Sequence, residues 1–193
     1  MISQPEPIPF ARLGADSYLR WIPARPSGIA PYGISDTVSE ISDRLRLVWE
    51  LGLASGRLRA FFHDVDAVPD FPAFAAWAGD PARWFFVLYR CHAPAAFVCL
   101  EGLGVTGSQR LAHFCTLATA PRPALVALGR DFVRWLGRAT PVRQLLGMTP
   151  ACYRHALAFA REVGFTPLAT LRDAVFCRGR VRHAVLTLCD TGA

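Results

Sequence analysis

The chain has no lysine. All 21 of its basic side chains are arginines, set against 15 carboxylates, for a formal net charge of +6 over 193 residues. Its basic side chains are therefore all planar guanidinium forks, which bind phosphate and carboxylate in two-pronged fashion. A GC-rich coding genome explains the bias most simply; affinity for phosphate-bearing partners is the functional alternative. The arginines are spread along the chain without a dense run, which argues against a dedicated nucleic-acid patch. Charge of either sign is scarce, at 19% of residues against 52% hydrophobic. That balance excludes long disordered stretches away from the ends and suffices for a sizeable core.

Cysteine is present six times, at 91, 99, 115, 152, 177 and 189, but never as a CxxC pair, so no zinc-ligand spacing occurs. Most lie in apolar runs such as 97–100 and 113–117, the setting of buried reduced thiols, and this points to the cytoplasm. No apolar run approaches the ~18 residues of a membrane span. The opening MISQPEPIPF lacks the basic start and apolar stretch of a secretory signal. There is no internal repeat. The length suits one domain over 1–193.

What is there reads as alternating periods. Residues 1–33 form a Pro- and Gly-rich arm with one short strand near 17–22. Thr37 and Glu40 make a T-x-x-E capping box, and Val38, Ile41, Leu45 and Val48 then recur at helical spacing until Gly52 or Gly56. Residues 57–69 are ambiguous. A short helix over 71–78 is opened by Asp70 and closed by Gly79. Three strands follow, Trp84–Cys91, Ala95–Leu103 and Arg110–Leu117, separated by turns at 92–94 and 104–109. Leu125, Leu128, Phe132 and Trp135 mark a helix entered through Pro121 and Pro123. A strand over Val142–Gly147, a helix over Ala151–Val163 stopped by Gly164, and strands near 165–171 and 182–188 complete the order. Meander and crossover together imply an α/β fold with a mixed, partly parallel sheet.

That order, with the segment ACYRHALAFAREVGFTPL at 151–168, resembles the GNAT superfamily of N-acetyltransferases. Ala156, Arg161, Glu162, Gly164 and Phe165 match its helix–Gly-Phe–strand motif, and the preceding VRQLLGMTP is similar to its fifth strand. The resemblance covers roughly 84–190 and implies a GNAT-like acyl-CoA N-acyltransferase fold, with acetyl-CoA as cosubstrate and an amine as acceptor. The family's pyrophosphate loop is resembled by 121–129, where Pro121, Ala127 and Gly129 match while Ala124 and Leu125 replace Arg/Gln and Gly. The resemblance implies that the backbone of Leu125, Val126, Ala127, Leu128 and Gly129 holds the pyrophosphate at a helix N-terminus. Charge would come from Arg122 or Arg130, and the strand edge Leu117, Ala118 and Thr119 would pair with the pantetheine amides.

Acyl transfer needs a base for the amine and an acid for the leaving thiolate. The family's usual helix Tyr is replaced by Ala160. Tyr153 stands where the family often has a cofactor-contacting Asn, and with Cys152 it is a substitute acid. His113 lies mid-strand, sharing a face with Cys115 and Leu117 by alternation, and is the candidate base; Glu101 on the neighbouring strand is its rival. His63, Asp64 and Asp66 read as turn-capping residues rather than as a metal site. The missing Tyr and altered loop leave a second reading open: a non-catalytic GNAT-like binding or accessory module. The expected partners are a small-molecule or peptide amine and a second copy of the chain, with neither a membrane nor nucleic acid among them.

Overall fold

The computed structural model describes residues 10–22, 38–103, 107–117 and 119–192. Its frame is one sheet of eight strands. β1 (Phe10–Gly14) and β2 (Ser17–Ile22) come from the N-terminal region, which the sequence reading credited with a single strand. Three helices follow: α1 (Val38–Ala54), α2 (Arg57–Phe61) and α3 (Phe71–Ala78). A meander of β3 (Arg83–Arg90), β4 (Ala93–Leu103) and β5 (Gln109–Thr116) leads to α4 (Arg122–Ala139), β6 (Gln144–Pro150), α5 (Arg154–Val163), β7 (Thr166–Cys177) and β8 (Arg180–Asp190). Across the sheet the order is β1-β2-β3-β4-β5-β6-β8-β7. Every neighbour pair is antiparallel except β5–β6.

The strands of the meander are apolar on both faces because helices cover both. Phe85, Val87, Phe97, Cys99, Cys115 and Leu117 pack with Leu45, Val48, Leu58 and Phe74 of α1–α3. Phe86, Leu88, Val98 and Leu100 pack instead with Leu128, Phe132 and Leu136 of α4 and Val163 of α5. At ~25 cal/mol per Å² of apolar surface buried, this double coverage is the main stabilising term.

Boundaries depart from the periodicity where local chemistry decides them. Thr37 of the proposed capping box lies outside the described residues. Gly52 does not end α1; it sits inside the helix, where an added Cβ would come 2.6 Å from Leu58 of α2, and left-handed Gly56 (φ 67°) ends the segment. Asp70 caps α3 as expected, accepting from the Ala73 N–H at 2.9 Å. The β3–β4 turn is Cys91–His92, both left-handed, so Cys91 leaves the strand. β6 starts later and runs longer than expected, because its ladder with β8 continues to Pro150↔Ala184. That extension delays α5: the Ala151 N–H donates to the His183 carbonyl, and the Tyr153 N–H turns back to Pro150. β7 is likewise longer, carried past a bulge where Asp173 (φ 48°) donates its N–H to His183 Nδ1 at 3.2 Å. None of the helices among the described residues is long and apolar enough to cross a membrane.

Candidate active site

The one parallel contact in the sheet is short. β5 and β6 pair only at Gln109↔Gln144, Arg110↔Leu145 and Leu111↔Leu146. Beyond those rungs β5 stays with β4, to Thr116↔Ala96, while β6 follows β8. The two strands splay into a V. Gly147, the first β6 residue past the last rung, has no room for a side chain, since a Cβ there would lie 2.7 Å from Thr187 Oγ1. On the other arm the Leu117 N–H is already spent on the Ala95 carbonyl. Strand alternation then turns the amides of Phe114 and Thr116 toward the open slot, while that of Ala112 is used by the last rung.

A cavity of about 490 Å³ occupies the mouth of this V, lined by Arg57 and Phe61 of α2, Cys115–Leu117, Arg122 and Leu125 of α4, and Tyr153, His155 and Phe159. Phe114 and Phe159 meet on its floor, ring centroids 5.1 Å apart. The cavity is thus built where a strand edge, a helix N-terminus and the start of α5 converge.

The start of α4 offers a narrower anion cradle than the sequence implies. Pro121 is the N-cap, and its carbonyl accepts from the N–H groups of Ala124 and Leu125 at 3.0 and 3.1 Å. Pro123 has no N–H, so Arg122 carries the first free donor of the turn. Val126, Ala127, Leu128 and Gly129 lie deeper, inside the helix, where their N–H groups belong to its own ladder. Gly129 is not a loop glycine: a Cβ on it would come 2.8 Å from Val163 Cγ2, so its smallness serves the approach of α4 to α5. The two arginines offered as charge are also engaged. Arg122 forks onto Glu162, Nη2 to Oε1 at 2.7 Å, and Arg130 Nε donates to the Glu162 carbonyl at 2.7 Å. That fork holds the Glu162 carboxyl below its ordinary range. Thr119 hydroxyl donates to Pro94 O at 2.6 Å, away from the strand edge expected for it; Ala118 lies outside the described residues.

Tyr153 is the sequence-derived acid that reaches the cavity. It is buried, forms the N-cap position of α5, and receives the N–H groups of Ala156 and Leu157 on its carbonyl. Burial raises the phenol's pKa, reinforced by the Cys177 thiol and opposed by the Arg178 guanidinium, which sits 5.3 Å from the ring centroid. Cys152 is exposed and does not line the cavity; its Sγ lies 4.0 Å from Cys177 Sγ.

His113 faces α2 with Cys115, as alternation requires, beside rather than in the cavity wall: the lining residue Phe61 has its ring 6.2 Å away. Its Nε2 has no hydrogen-bond partner among the described residues and stands 3.8 Å from Glu101 Oε2. Glu101, the rival base, is held by Arg83 Nε at 2.9 Å. Burial lowers the His113 pKa, and Glu101 only partly opposes it. His63, read from the sequence as part of a capping cluster, belongs here too. Its ring is 5.9 Å from Tyr153, and among the described residues neither buried ring nitrogen has a hydrogen-bond partner. Burial lowers its pKa, Asp64 raises it and His113 lowers it again. A half-buried imidazole beside a phenol, answered among the described residues only by Asp64 at 3.8 Å, is a functional signal that periodicity could not supply, because residues 62–70 follow neither period. Among the described residues no group of three or more His, Cys, Asp or Glu side chains is placed to hold a metal.

The sequence matches no protein-family model and no curated protein. Solved structures do match. The acetyltransferase that modifies the N-terminal serine of ribosomal protein L7/L12 in Salmonella typhimurium superposes with a TM-score of 0.72 at 9% identity, over 94% of this chain and 98% of that one. The microcin C7 self-immunity acetyltransferase, solved with acetyl-CoA and AMP, gives 0.67 at 8% identity over 92% and 94%. A spermidine N-acetyltransferase chimera of Vibrio cholerae and human sequences gives 0.65 at 12% identity over 78% and 91%. The fold is that of the GNAT acetyltransferases, with the mixed sheet that the motifs lead one to expect.

Proposed function

We propose that this chain is an N-acetyltransferase that passes an acetyl group from acetyl-CoA to an amine by direct attack. The observation that carries the reading is the V between β5 and β6, whose open strand edge leads to a cavity walled by a buried, protonated phenol. Acetyl-CoA fits this donor set. Unpaired strand amides can take up pantetheine amides, and the first turn of α4 with Arg122 can meet the pyrophosphate. Leu125 lines the way between them, while the deeper α4 residues only support the turn.

The acceptor nitrogen attacks the thioester carbonyl carbon; a C–N bond forms as the C–S bond breaks. His113, held neutral by burial beside the cavity, takes the proton released from the amine through one intervening water, and Tyr153 gives its phenolic proton to the departing sulfur. Cys152 has no part in this scheme, because its thiol faces Cys177. The localisation that accords with it is the cytoplasm.

The test is calorimetric titration with acetyl-CoA, followed by amine screening of wild type and Tyr153→Phe. Saturable binding at micromolar ligand is expected. The variant should keep its acetyl-CoA affinity while kcat falls by about 10²-fold or more. Absence of binding up to millimolar ligand would discard the enzyme reading in favour of a binding module that retains only the fold. The chain offers no lysine, so label transferred to an acceptor is not confounded by self-acetylation of ε-amines.

A further inference from the structure

The arginines are dispersed in the sequence, but the fold gathers some of them. The β6–β8 ladder ends at Pro150↔Ala184, whereas β7–β8 continues through Val175↔Arg182, Phe176↔Val181 and Cys177↔Arg180. The tip of this hairpin therefore overhangs the end of β6, beside the start of α5. Arg172, Arg178, Arg180 and Arg182 on the hairpin, with Arg154 on α5, are all exposed. None of the five meets a carboxylate among the described residues. Asp173, the hairpin's own acid, is 3.4 Å from His183.

The overhang is aimed. Arg180 pairs across from Cys177 and Arg182 across from Val175, so both share the face on which Cys177 approaches Cys152, the neighbour of Tyr153. The turn is Arg178–Gly179 with φ of 54° and 73°, a two-residue turn in which a non-glycine residue adopts the left-handed conformation. That backbone holds the Arg178 guanidinium over the Tyr153 ring, at the cavity wall. Left-handed backbone at a non-glycine residue is kept where the surroundings over-determine it, and clusters at ligand clamps.

We propose that this hairpin is the docking surface for the acceptor, and that the acceptor is a polypeptide with acidic residues next to the amine it presents. This rests on the acetyltransferase reading and supplies its substrate class. Arg180 and Arg182 stand two residues apart on one strand face, about 7 Å, which is the spacing of alternate side chains in an extended acidic segment. Single-stranded nucleic acid is the poorer fit. Its binders interleave basic groups with aromatic platforms, whereas the exposed aromatic of this hairpin, Phe176, lies on the opposite face with Val181. The guanidiniums leave the reacting groups to Tyr153 and His113 and grip the chain behind the amine.

The experiment uses fluorescence anisotropy without acetyl-CoA, on three labelled probes: a short free-amine peptide rich in Asp and Glu, a neutral peptide of the same length, and an oligothymidylate of matched charge. The acidic peptide should bind wild type about tenfold or more tighter than the neutral one. That preference should shrink as ionic strength rises from about 0.01 to about 0.15 M and the Debye length falls from about 30 to about 8 Å. In Arg180→Gln/Arg182→Gln, two exposed sites whose loss leaves the core untouched, the preference should disappear while calorimetric acetyl-CoA binding is unchanged. Equal binding of the two peptides, or tighter binding of the oligonucleotide, overturns the proposal. If the peptide preference holds but acetyl-CoA does not bind, the transferase reading falls and the docking surface stands.

Discussion

Two imidazoles decide how the protein responds to acid. Burial holds the pKa values of His63 and His113 below the reference 6.5, and a charge on His113 further lowers that of His63. In the unfolded chain both take up protons near 6.5, whereas the native state resists them until lower pH. The unfolded form then binds more protons in that window, so stability rises with pH through it. The contribution is complete above about 6.5 and is lost as pH falls toward the depressed native values. Melting temperature should therefore be flat from pH 8 to about 7 and drop below about 6.5. In His63→Phe the acid limb should be shallower; an unchanged limb would show that His63 protonates freely in the native state. At this scale the sequence located Tyr153 at the start of α5 by motif and the face of β5 that carries His113 by alternation, though His113 lies beside the cavity rather than in its wall. It grouped His63 with Asp64 and Asp66 as turn-capping residues and gave no sign of its approach to Tyr153, because the short α2 and an irregular loop carry the ring there.

Most elements could be read from hydrophobic period: α1, α3, α4, the meander and the order of the second half all appear where the pattern puts them. The misses have local causes. β1 lies in a Pro-rich stretch that has no period of its own and is a strand only because β2 offers an edge. Gly129 shows how a motif can mislead, since a glycine at loop spacing from a proline turned out to be two turns into α4. Its structural role gives a sharp expectation. Gly129→Ala gains up to about 1 kcal/mol of helix propensity. It also forces a Cβ to 2.8 Å from one methyl of Val163 and 3.4 Å from the other, so rotating that stiff side chain gives no relief. Overpacking of this kind costs about 1–3 kcal/mol. The net loss, on the order of 1 kcal/mol, should lower Tm by about 2–4 °C, while acetyl-CoA affinity changes less than about twofold. A large loss of affinity at unchanged Tm would instead restore Gly129 to the cofactor loop.

Over the whole molecule, the sheet is two blocks joined by three rungs, β1–β5 on one side and β6–β8 on the other. Amides that point into the open V, those of Phe114 and Thr116 on β5 and Met148 on β6, should exchange with solvent faster than those in the middle of the meander. Acetyl-CoA in the slot should protect both borders together, read by hydrogen exchange with and without ligand; protection confined to one arm would mean that the ligand lies elsewhere. The antiparallel block was legible strand by strand. The splay was not, because where a parallel ladder stops depends on side chains from α4, α5 and β8 that no single strand records. The strand order also says something about time. β1 to β5 are neighbours in the order they are made, so that block can assemble as the chain emerges. β8, last in sequence, ends up between β6 and β7. Until it is inserted, β6 and β7 both present raw edges, and the nascent protein passes through an interval in which it is open to pairing with the wrong strand.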